Sequence, residues 1–204
     1  MPRNESLKRA LRRELRAKRR SLSAADHDRK SKLAASAIAR LPAFKAGARI
    51  AVYLPFDGES NPSALLKAAR KRRVRIFVPV VESVRHRRLR FLPLTGRTRR
   101  GAFGISVPHA RTPKAAVAPR WFDLIVVPLV GIDGHGRRLG MGGGFYDRAL
   151  SFRRIRHSWT GPKLVGLAFQ CQRTDSVFAE PHDVRLDAVA TERGVQHFAK
   201  EPHA

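Results

Sequence analysis

The residue types best suited to chemistry lie together in residues 137–148, which read RRLGMGGGFYDR. Four glycines in five residues follow two arginines and precede two aromatic residues, an acid and another arginine. Glycine lets the backbone take positive φ and approach a ligand closely, and consecutive amides in such a loop can point at an anion. A helix that begins just after the loop adds its positive end. Arginine supplies forked donors for phosphate, and Asp147 offers a hard oxygen for Mg²⁺.

This stretch allows two interpretations. In the first, the glycine amides and Arg138 hold phosphate while Asp147 holds a metal ion. In the second, the stretch is a tight glycine turn before an ordinary helix, because glycine punctuates loops in most proteins. Composition does not separate the two, so the decision depends on the elements that position the stretch.

Length and composition are those of one globular domain. The chain has 204 residues, of which 43% are hydrophobic and 28% charged, so it can bury a substantial core. It contains no apolar run of the ~18 residues needed to cross a membrane, and no N-terminal stretch typical of a secretory signal. Its one cysteine, Cys171, rules out an internal disulfide. We therefore expect a cytoplasmic protein without membrane partners, with residues 1–204 forming a single domain.

The net charge of +26 is unevenly distributed. Residues 1–100 hold 28 Lys and Arg against 7 acids, whereas residues 101–204 hold 14 against 9. Such an excess attracts polyanions without specificity, so it could serve nucleic acid or an anionic small substrate. We favour a third interpretation, a solvated surface bias, because the arginines are scattered along the chain and lack interleaved aromatic residues for stacking.

Hydrophobic periodicity predicts that the N-terminal region is helical. Leu7, Leu11 and Leu15 recur every four residues, which predicts an amphipathic helix over residues 4–20 within a basic segment 1–22. Lys8 and Arg12 share one face of this helix, and that face could lean over an anion site. Ser23 with Asp26 three residues later is typical of a helix N-terminus, so a second helix should run from there to about residue 40.

The remaining pattern predicts an α/β fold. Strands alternate with helices, which favours a mainly parallel sheet with ligands at the carboxyl ends of its strands. The predicted strands are 50–54, 74–80, 88–94, 105–108, 122–130, 163–169 and 187–190, and the further helices are 61–72 and 145–154. The other segments are expected to be a loop at 95–120, a turn at 131–136, a polar loop at 170–185 and a frayed tail at 196–204.

Several common sites are excluded or disfavoured by missing motifs. The chain has no P-loop sequence, and its glycine stretch does not follow the first predicted strand as a dinucleotide fingerprint would. The eight histidines include no pair at helical ligand spacing beside an acid, which disfavours zinc. No nucleophile elbow is present. A Ser/His/Asp triad without that elbow stays open at this point.

Several segments, in order, are similar to the signature of the 5-formyltetrahydrofolate cyclo-ligase family, also called methenyltetrahydrofolate synthetase. The longest runs from Val127 through Asp133 to Arg148 and includes the glycine stretch. The other matching segments are Lys8-x-x-x-Arg12 with residues 19–23, YLPFDGE at 53–59, VGLA at 165–168, Gln172, Asp183 and Thr191-Glu192. The resemblance therefore covers nearly the whole chain.

The resemblance implies a fold and a reaction. The implied fold is a single three-layer α/β/α domain with a mainly parallel central sheet. The implied enzyme converts 5-formyltetrahydrofolate to 5,10-methenyltetrahydrofolate and releases ADP and phosphate. ATP is the co-substrate and Mg²⁺ the cofactor, and the formyl oxygen is phosphorylated on the way. Nothing in the residues points to oligomers, so we expect a monomer.

The resemblance also implies roles for individual residues. The catalytic residues would be Arg138 and Tyr146, although Tyr146 could equally be a packed aromatic, and the metal ligands would be Asp147 and Asp183. The ATP-binding residues would be Lys8, Arg12, Arg138, Leu139, Gly140, Met141, Gly142, Gly143, Gly144, Phe145 and Tyr146. The folate-binding residues would be Phe56, Glu59, Asn61, Gly142, Gly144 and Phe145, with either Glu59 or Asn61 meeting the pterin.

Two competing functions remain open at this point. One is a basic nucleic-acid-binding protein with a secondary nucleotide site, supported by the net charge of +26. The other is a nucleotide-dependent enzyme of the same fold that ignores folate. In the favoured function, nucleic acid would be attracted only by non-specific charge.

Overall fold

The computed structural model describes residues 2–94, 98–100, 106–108, 116–155 and 161–199. Five α-helices lie in this part of the chain, and we number them in chain order. They are α1 (Pro2–Arg20), α2 (Ala24–Ile38), α3 (Ser63–Lys71), α4 (Phe145–Ala149) and α5 (Phe152–Ile155). The strands of the main sheet are β1 (Arg49–Ala51), β2 (Arg75–Ser83), β3 (Arg88–Pro93), β6 (Leu124–Val127), β9 (Lys163–Leu167), β10 (Ala188–Thr191) and β11 (Gly194–His197). The remaining strands form two short antiparallel pairs. They are β4 (Thr98–Arg100) with β5 (Ser106–Pro108), and the hairpin of β7 (Gly131–Ile132) with β8 (Arg138–Leu139).

The main sheet is seven-stranded, with the order β11-β10-β9-β6-β1-β2-β3. Its five central strands are parallel, and β3 and β11 pair antiparallel at the two edges. Taken in chain order, the parallel strands lie in the doubly wound order 2-1-3-4-5, so the winding reverses between β1 and β6. Ligands of such sheets bind outside the carboxyl ends of the strands at that reversal. The loops that follow β1 and β6 are therefore the place to look for a site.

The predicted three-layer α/β/α architecture is confirmed by the two hydrophobic clusters. All four residues of β6 are buried, as the continuous apolar run predicts for a strand covered on both faces. On one face, Leu124 and Val126 pack with residues of α2 and α3, including Ile38 and Leu65. On the other face, Ile125 and Val127 pack in a cluster that includes Leu150, just after α4.

The N-terminal helices begin and end close to the predicted residues. Ser23 caps α2, because its hydroxyl accepts a hydrogen bond from the amide of Asp26 at 3.1 Å. Helix α1 lies over the β7–β8 hairpin, where Leu15 packs against Val130 and Leu139 in a small cluster. The predicted apolar stripe is thus real, although Leu7 at its start is 39% exposed.

Several predicted segments are wrong in detail. Residues 131–132, predicted as part of a turn, form β7, and a second short strand near residue 98 was missed. The predicted helix 145–154 is broken between Ala149 and Phe152 into α4 and α5. Residues 196 and 197, predicted to fray, pair with β10 as part of β11. Residues 198 and 199 follow β11 without regular structure, and residues 200–204 of that predicted tail lie outside the described residues.

Among the helices of the described residues, none combines the length and apolar character required to cross a membrane.

Candidate active site

The candidate site lies at the carboxyl ends of β1 and β6, where the sheet order reverses. The loop after β1 carries Phe56, Asp57 and Glu59. The segment after β6 turns back as the β7–β8 hairpin and continues into the glycine stretch before α4. Helix α1 crosses this end of the sheet and contacts both segments through basic side chains.

The glycine stretch is an open loop between β8 and α4. Gly142 and Gly144 have φ of 96° and 65°, a region that other residues rarely enter. The side chain of Arg12 lies against the loop, and a Cβ at Gly142 would come within 3.5 Å of Cζ of that arginine. Arg12 Nε also donates to the carbonyl of Gly140 at 3.0 Å. Arg12 therefore brings α1 against the glycine stretch.

Arg138, at the start of β8, is nearly buried, with its side chain 3% exposed. Its Nη2 donates to Oδ1 of Asp147 at 2.7 Å, and its Nη1 donates to the carbonyl of Val184. A buried guanidinium held at two points has a fixed orientation. Arg138 therefore ties the glycine stretch to the C-terminal loop around residue 183.

The two predicted metal ligands are brought close together. Oδ1 of Asp147 accepts a hydrogen bond from the amide of Val184 at 3.0 Å, and Val184 directly follows Asp183. Oδ2 of Asp183 accepts from the amide of Glu180 at 2.8 Å. Residues 36 apart in sequence thus meet at one end of the glycine stretch.

Lys8 reaches the same corner from α1. Its side chain is 7% exposed, and Nζ lies 3.4 Å from both Oδ2 of Asp183 and Oε1 of Glu180. One turn along the same helix face is Arg12, whose Nη1 donates to Oε1 of Glu5 at 3.0 Å. Lys8, Arg12 and Arg138 therefore place three cations around the loop.

The loop after β1 is held to α1 by an arginine cluster that the sequence analysis missed. Asp57, at φ of 56°, accepts from Nε of Arg16 at 2.8 Å and from Nη2 of Arg19 at 3.1 Å. Arg20 donates to its other carboxylate oxygen. Burial opposes ionisation of Asp57, but hydrogen bonds from Arg20 and Arg16 outweigh it and lower its pKa. The Arg19 side chain is completely buried, and burial lowers its pKa.

Glu59 and Tyr146 face a common interior. Burial raises the pKa of Glu59 to about 7, although the amide of Phe56 and the charge of Arg19 oppose the shift. Burial, and then the charge of Glu59, raises the pKa of Tyr146 far above its ordinary value, while Arg138 lowers it. The hydroxyl of Tyr146 is buried and has no hydrogen-bond partner among the described residues. A buried donor of this kind is rare in proteins and suits a group that meets a ligand.

The other predicted site residues divide into exposed and structural positions. Phe56 and Met141 are 44% and 47% exposed, so their side chains border open solvent at the loop. Leu139 is buried against Leu15 of α1 and supports the hairpin. The side chain of Asn61 caps α3, because its Oδ1 accepts from the amide of Ser63 at 2.9 Å. Of the two alternatives for the pterin, Glu59 is the one directed toward Tyr146.

Fold and site together define a class of protein. It is a doubly wound α/β protein whose glycine loop lies at the switch point and is contacted by a basic N-terminal helix. Open α/β sheets of this kind bind their ligands at that place.

The chain belongs to the 5-formyltetrahydrofolate cyclo-ligase family, whose model matches residues 4–192. It is 31% identical over 178 residues to 5-formyltetrahydrofolate cyclo-ligase of Escherichia coli (strain K12), covering 87% of this chain and 96% of the relative. It is 35% identical over 141 residues to the same enzyme of Haemophilus influenzae, covering 67% of this chain and 72% of the relative. The predicted family is confirmed, and the chain is an enzyme of this family.

Solved structures agree with the fold. The NMR structure of Aquifex aeolicus 5,10-methenyltetrahydrofolate synthetase matches with a TM-score of 0.79 and 30% identity, over 97% of this chain and 96% of that chain. A 5,10-methenyltetrahydrofolate synthetase from Mycoplasma pneumoniae matches with a TM-score of 0.70 and 24% identity, over 91% and 98% of the two chains. The second likeness bears on the fold alone.

Proposed function

We propose that this enzyme cyclises 5-formyltetrahydrofolate to 5,10-methenyltetrahydrofolate with consumption of ATP and release of ADP and phosphate. The observation that carries the proposal is the convergence of Lys8, Arg12 and Arg138 on a glycine loop at the switch point of the sheet. A polyphosphate is the ligand that such a set of cations and free amides recognises best. Family membership supplies the folate as the other substrate.

The proposed chemistry begins with activation of the formyl group. The formamide oxygen is a poor leaving group until the γ-phosphoryl group of ATP is transferred to it. A second folate nitrogen then attacks the formyl carbon, the carbon–oxygen bond breaks, and phosphate leaves as the ring closes. Phosphoryl transfer depends mainly on positioning and charge neutralisation. The chain therefore needs no nucleophilic side chain.

Three basic side chains account for the charge neutralisation. Arg138 is buried and fixed by Asp147 and the carbonyl of Val184, so it costs little reorganisation when charge develops on the transferred group. Lys8 and Arg12 project from one face of α1 toward the loop and can hold the phosphates from the other side. The glycine amides add donors without added bulk.

Asp147 and Asp183 are the residues that would hold Mg²⁺. Among the residues that the structure describes, no group of three or more His, Cys, Asp or Glu side chains is arranged to hold a metal ion. Two hard carboxylates connected through the amide of Val184 fit Mg²⁺, which commonly takes one or two carboxylates together with substrate phosphates. When bound, the ion supplies charge neutralisation at the phosphate oxygens.

The folate would lie on the other side of the loop. Phe56 presents an exposed ring that can cover an aromatic pterin. Glu59 and the unpartnered hydroxyl of Tyr146 lie behind it and can bond polar atoms of the substrate or carry its proton. Asn61 would support this region by capping α3 rather than by touching the pterin.

One assay tests this function against its two competitors. Purified protein with ATP and Mg²⁺ is followed at the absorbance band of the methenyl product, with and without 5-formyltetrahydrofolate. We expect absorbance to grow only with the folate. ATP hydrolysis without product would favour a nucleotide-dependent enzyme that ignores folate, and neither activity would favour a nucleic-acid-binding protein.

Asp147→Asn tests the proposed metal ligand. The substitution keeps the size and one oxygen of Asp147 but removes the negative charge, so the Mg²⁺-dependent rate should fall at least about tenfold, the scale of one lost transition-state contact. The rate is measured against Mg²⁺ concentration. An unchanged rate would remove Asp147 from the metal site.

We further propose that the enzyme acts as a cytoplasmic monomer, with the whole chain forming one functional domain. The free thiol of Cys171 suits a reducing compartment. The site residues come from one chain, from Lys8 to Asp183, so a second copy is not needed to complete the site. Size-exclusion chromatography with light scattering at assay concentration measures the oligomeric state directly.

A further inference from the structure

The amino ends of β1 and β2 lie side by side, at the end of the sheet opposite the candidate active site. Helix α2 leads into the loop before β1, and α3 ends in the turn before β2. These connections contact each other. Nη1 of Arg72 donates to the carbonyl of Ala39 at 2.5 Å, and the amide of Gly47 donates to the carbonyl of Arg73 at 3.1 Å. The two connections therefore form one continuous surface.

This surface collects exposed cations that are far apart in sequence. Six exposed basic residues of the two connections define it, and we call it the amino-edge surface: Arg40, Lys45, Lys71, Arg72, Arg73 and Arg75. Segments 29–56 and 60–81, which contain it, include no acidic residue. In the part of the chain that the structure describes, none of the six forms an ion pair. Contrary to the sequence-based expectation, these cations are gathered rather than scattered.

Neighbouring acids do not neutralise the surface. Asp123 lies at the same end of the sheet, but its Oδ2 accepts from the backbone amide of Arg49 at 2.8 Å. Asp187 accepts from Arg153 and from the amide of Leu164. The acids at this end therefore bond backbone amides and a cation outside the surface.

Arg73 occupies a backbone position that disfavours it. It follows the C-terminus of α3 with φ of 55°, the left-handed conformation in which helices most often place glycine. A long basic side chain at that position carries conformational strain that glycine would not. Arg70 and Lys71 already place two cations in the last turn of α3, where the helix dipole favours positive charge. A further cation at residue 73 therefore adds to the basic surface at a position whose backbone favours glycine.

The composition of the surface indicates phosphate rather than apolar partners. Four of the six side chains are arginine, whose planar fork matches phosphate. Of the exposed large hydrophobic residues of the described chain, Trp121 lies at this end of the sheet, in the segment that enters β6, with Arg120 over its ring. Phe44 is buried 5.8 Å beneath Arg72. One exposed aromatic residue provides neither the row of apolar anchors of a membrane-binding helix nor a platform for successive bases, so recognition would be of a phosphate backbone and not of bases.

We propose that the amino-edge surface is a second binding site of this enzyme, for the sugar–phosphate backbone of duplex nucleic acid. Binding is independent of base sequence and strongly dependent on salt, with Kd of about 10⁻⁴ to 10⁻⁶ M at physiological salt. Because the surface lies at the opposite end of the sheet from the glycine loop, it is occupied without blocking the reaction. The six cations account for part of the positive charge that the reaction does not use.

The test compares two pairs of substitutions that remove the same charge. Arg73→Gly with Arg75→Gln removes two cations from the surface, and glycine suits the backbone at residue 73. The control is Arg9→Gln with Arg13→Gln, which removes two exposed arginines from α1 at the other end of the sheet. Fluorescence anisotropy of a labelled 20-base-pair DNA duplex and a matched RNA duplex is recorded from 50 to 300 mM salt. Circular dichroism checks that all variants are folded.

We expect the surface variant to bind duplex at least about tenfold more weakly at 150 mM salt. The slope of the logarithm of the binding constant against the logarithm of salt concentration should become shallower by about two, the value for two phosphate contacts. The control should change affinity less than about threefold, and both variants should keep the wild-type cyclo-ligase rate. Equal losses in the two variants would overturn the proposal, since only total charge would then matter. Tighter binding to anionic lipid vesicles or to poly-glutamate than to either duplex would also overturn it.

Discussion

The two ends of the sheet use the same basic residue types in opposite ways. At the carboxyl end, the side chains of Lys8, Arg19 and Arg138 are 7%, 0% and 3% exposed, and each contacts a carboxylate. At the amino end, the six cations of the amino-edge surface are exposed, and none has an ion-pair partner among the described residues. A buried, fixed cation acts strongly at short range on one ligand. An exposed cation is screened by salt, so such cations attract a ligand effectively only in numbers.

The comparison implies that single substitutions change function at the carboxyl end, whereas only sets of substitutions do so at the amino end.

Arg138→Lys should have the largest effect on catalysis. Lysine keeps the charge but cannot bond Asp147 and the carbonyl of Val184 together. We expect kcat/KM to fall about 100-fold, roughly 3 kcal/mol of transition-state stabilisation. Steady-state kinetics of the methenyl product measure it, and a loss below threefold would show that charge alone suffices there.

Glu59→Gln tests how the side-chain carboxyl of Glu59, in the loop after β1, affects the free energy of unfolding. The pKa of Glu59 rises from its ordinary 4.5 to about 7 in the folded protein. The folded state therefore holds this proton more tightly than the unfolded state does. The resulting stabilisation is complete below pH 4.5 and is lost as pH rises through 7. Relative to wild type, the Gln variant should gain roughly 2 kcal/mol in free energy of unfolding between pH 5 and pH 8.

Urea unfolding without substrate at a series of pH values measures this difference. Asp28→Asn, at an exposed acid of α2, is the control and should leave the pH profile unchanged. If the wild type and the Glu59 variant keep a constant difference across the range, Glu59 does not titrate near neutrality.

The arginine cluster on Asp57 combines a buried and an exposed cation within one site. Arg19 is buried and Arg20 is 54% exposed, yet both donate to Asp57. Asp57→Asn should raise the KM for 5-formyltetrahydrofolate about tenfold, because it loosens the loop that carries Phe56 and Glu59, and should leave the KM for ATP within about twofold. Arg19→Gln should reproduce this effect and Arg20→Gln should not. Equal effects of the two arginines would contradict the importance of burial.

The smallest effect is expected from a single change at the amino end. Arg73→Gly places the favoured residue at a φ of 55° and removes one screened charge. The free energy of unfolding should rise by about 0.5 kcal/mol or stay the same, and the cyclo-ligase rate should change less than about twofold. Thermal melts and the product assay check both. A tenfold loss of rate would connect the amino end to catalysis and contradict the division between the two ends.

The sequence alone predicted the structure correctly where its signal was long or local. The continuous apolar run at β6, the capping serine at residue 23 and the long glycine signature each specify their structure within a few residues. The two-residue strands β7 and β8 carry no periodicity, so β7 was predicted as part of a turn and β8 as part of the glycine stretch. The break after Ala149 has no proline or glycine to mark it.

The site was predictable in its parts but not in its assembly. The resemblance pointed to Lys8, Arg12, Arg138 and Asp183 as site residues, and the structure brings these together. The hydrogen bonds from Arg16 and Arg19 of α1 to Asp57 were not predicted, because these residues are about 40 positions apart in sequence and no local pattern connects them. Exposed and buried arginines cannot be told apart in a sequence, so the difference between the two ends of the sheet was not predicted.

The position of α1 has a consequence for the order in which the chain acquires its structure. Helix α1 completes its contacts only when residues far along the chain have folded, since Lys8 and Asp183 are separated by 175 residues. Its apolar contacts are few, through Leu11 and Leu15, and its sequence is rich in charge. In the finished protein the same sparse packing makes α1 the first element expected to detach. Hydrogen exchange should therefore find its amides among the least protected helical ones, and each detachment would uncover both halves of the site at once.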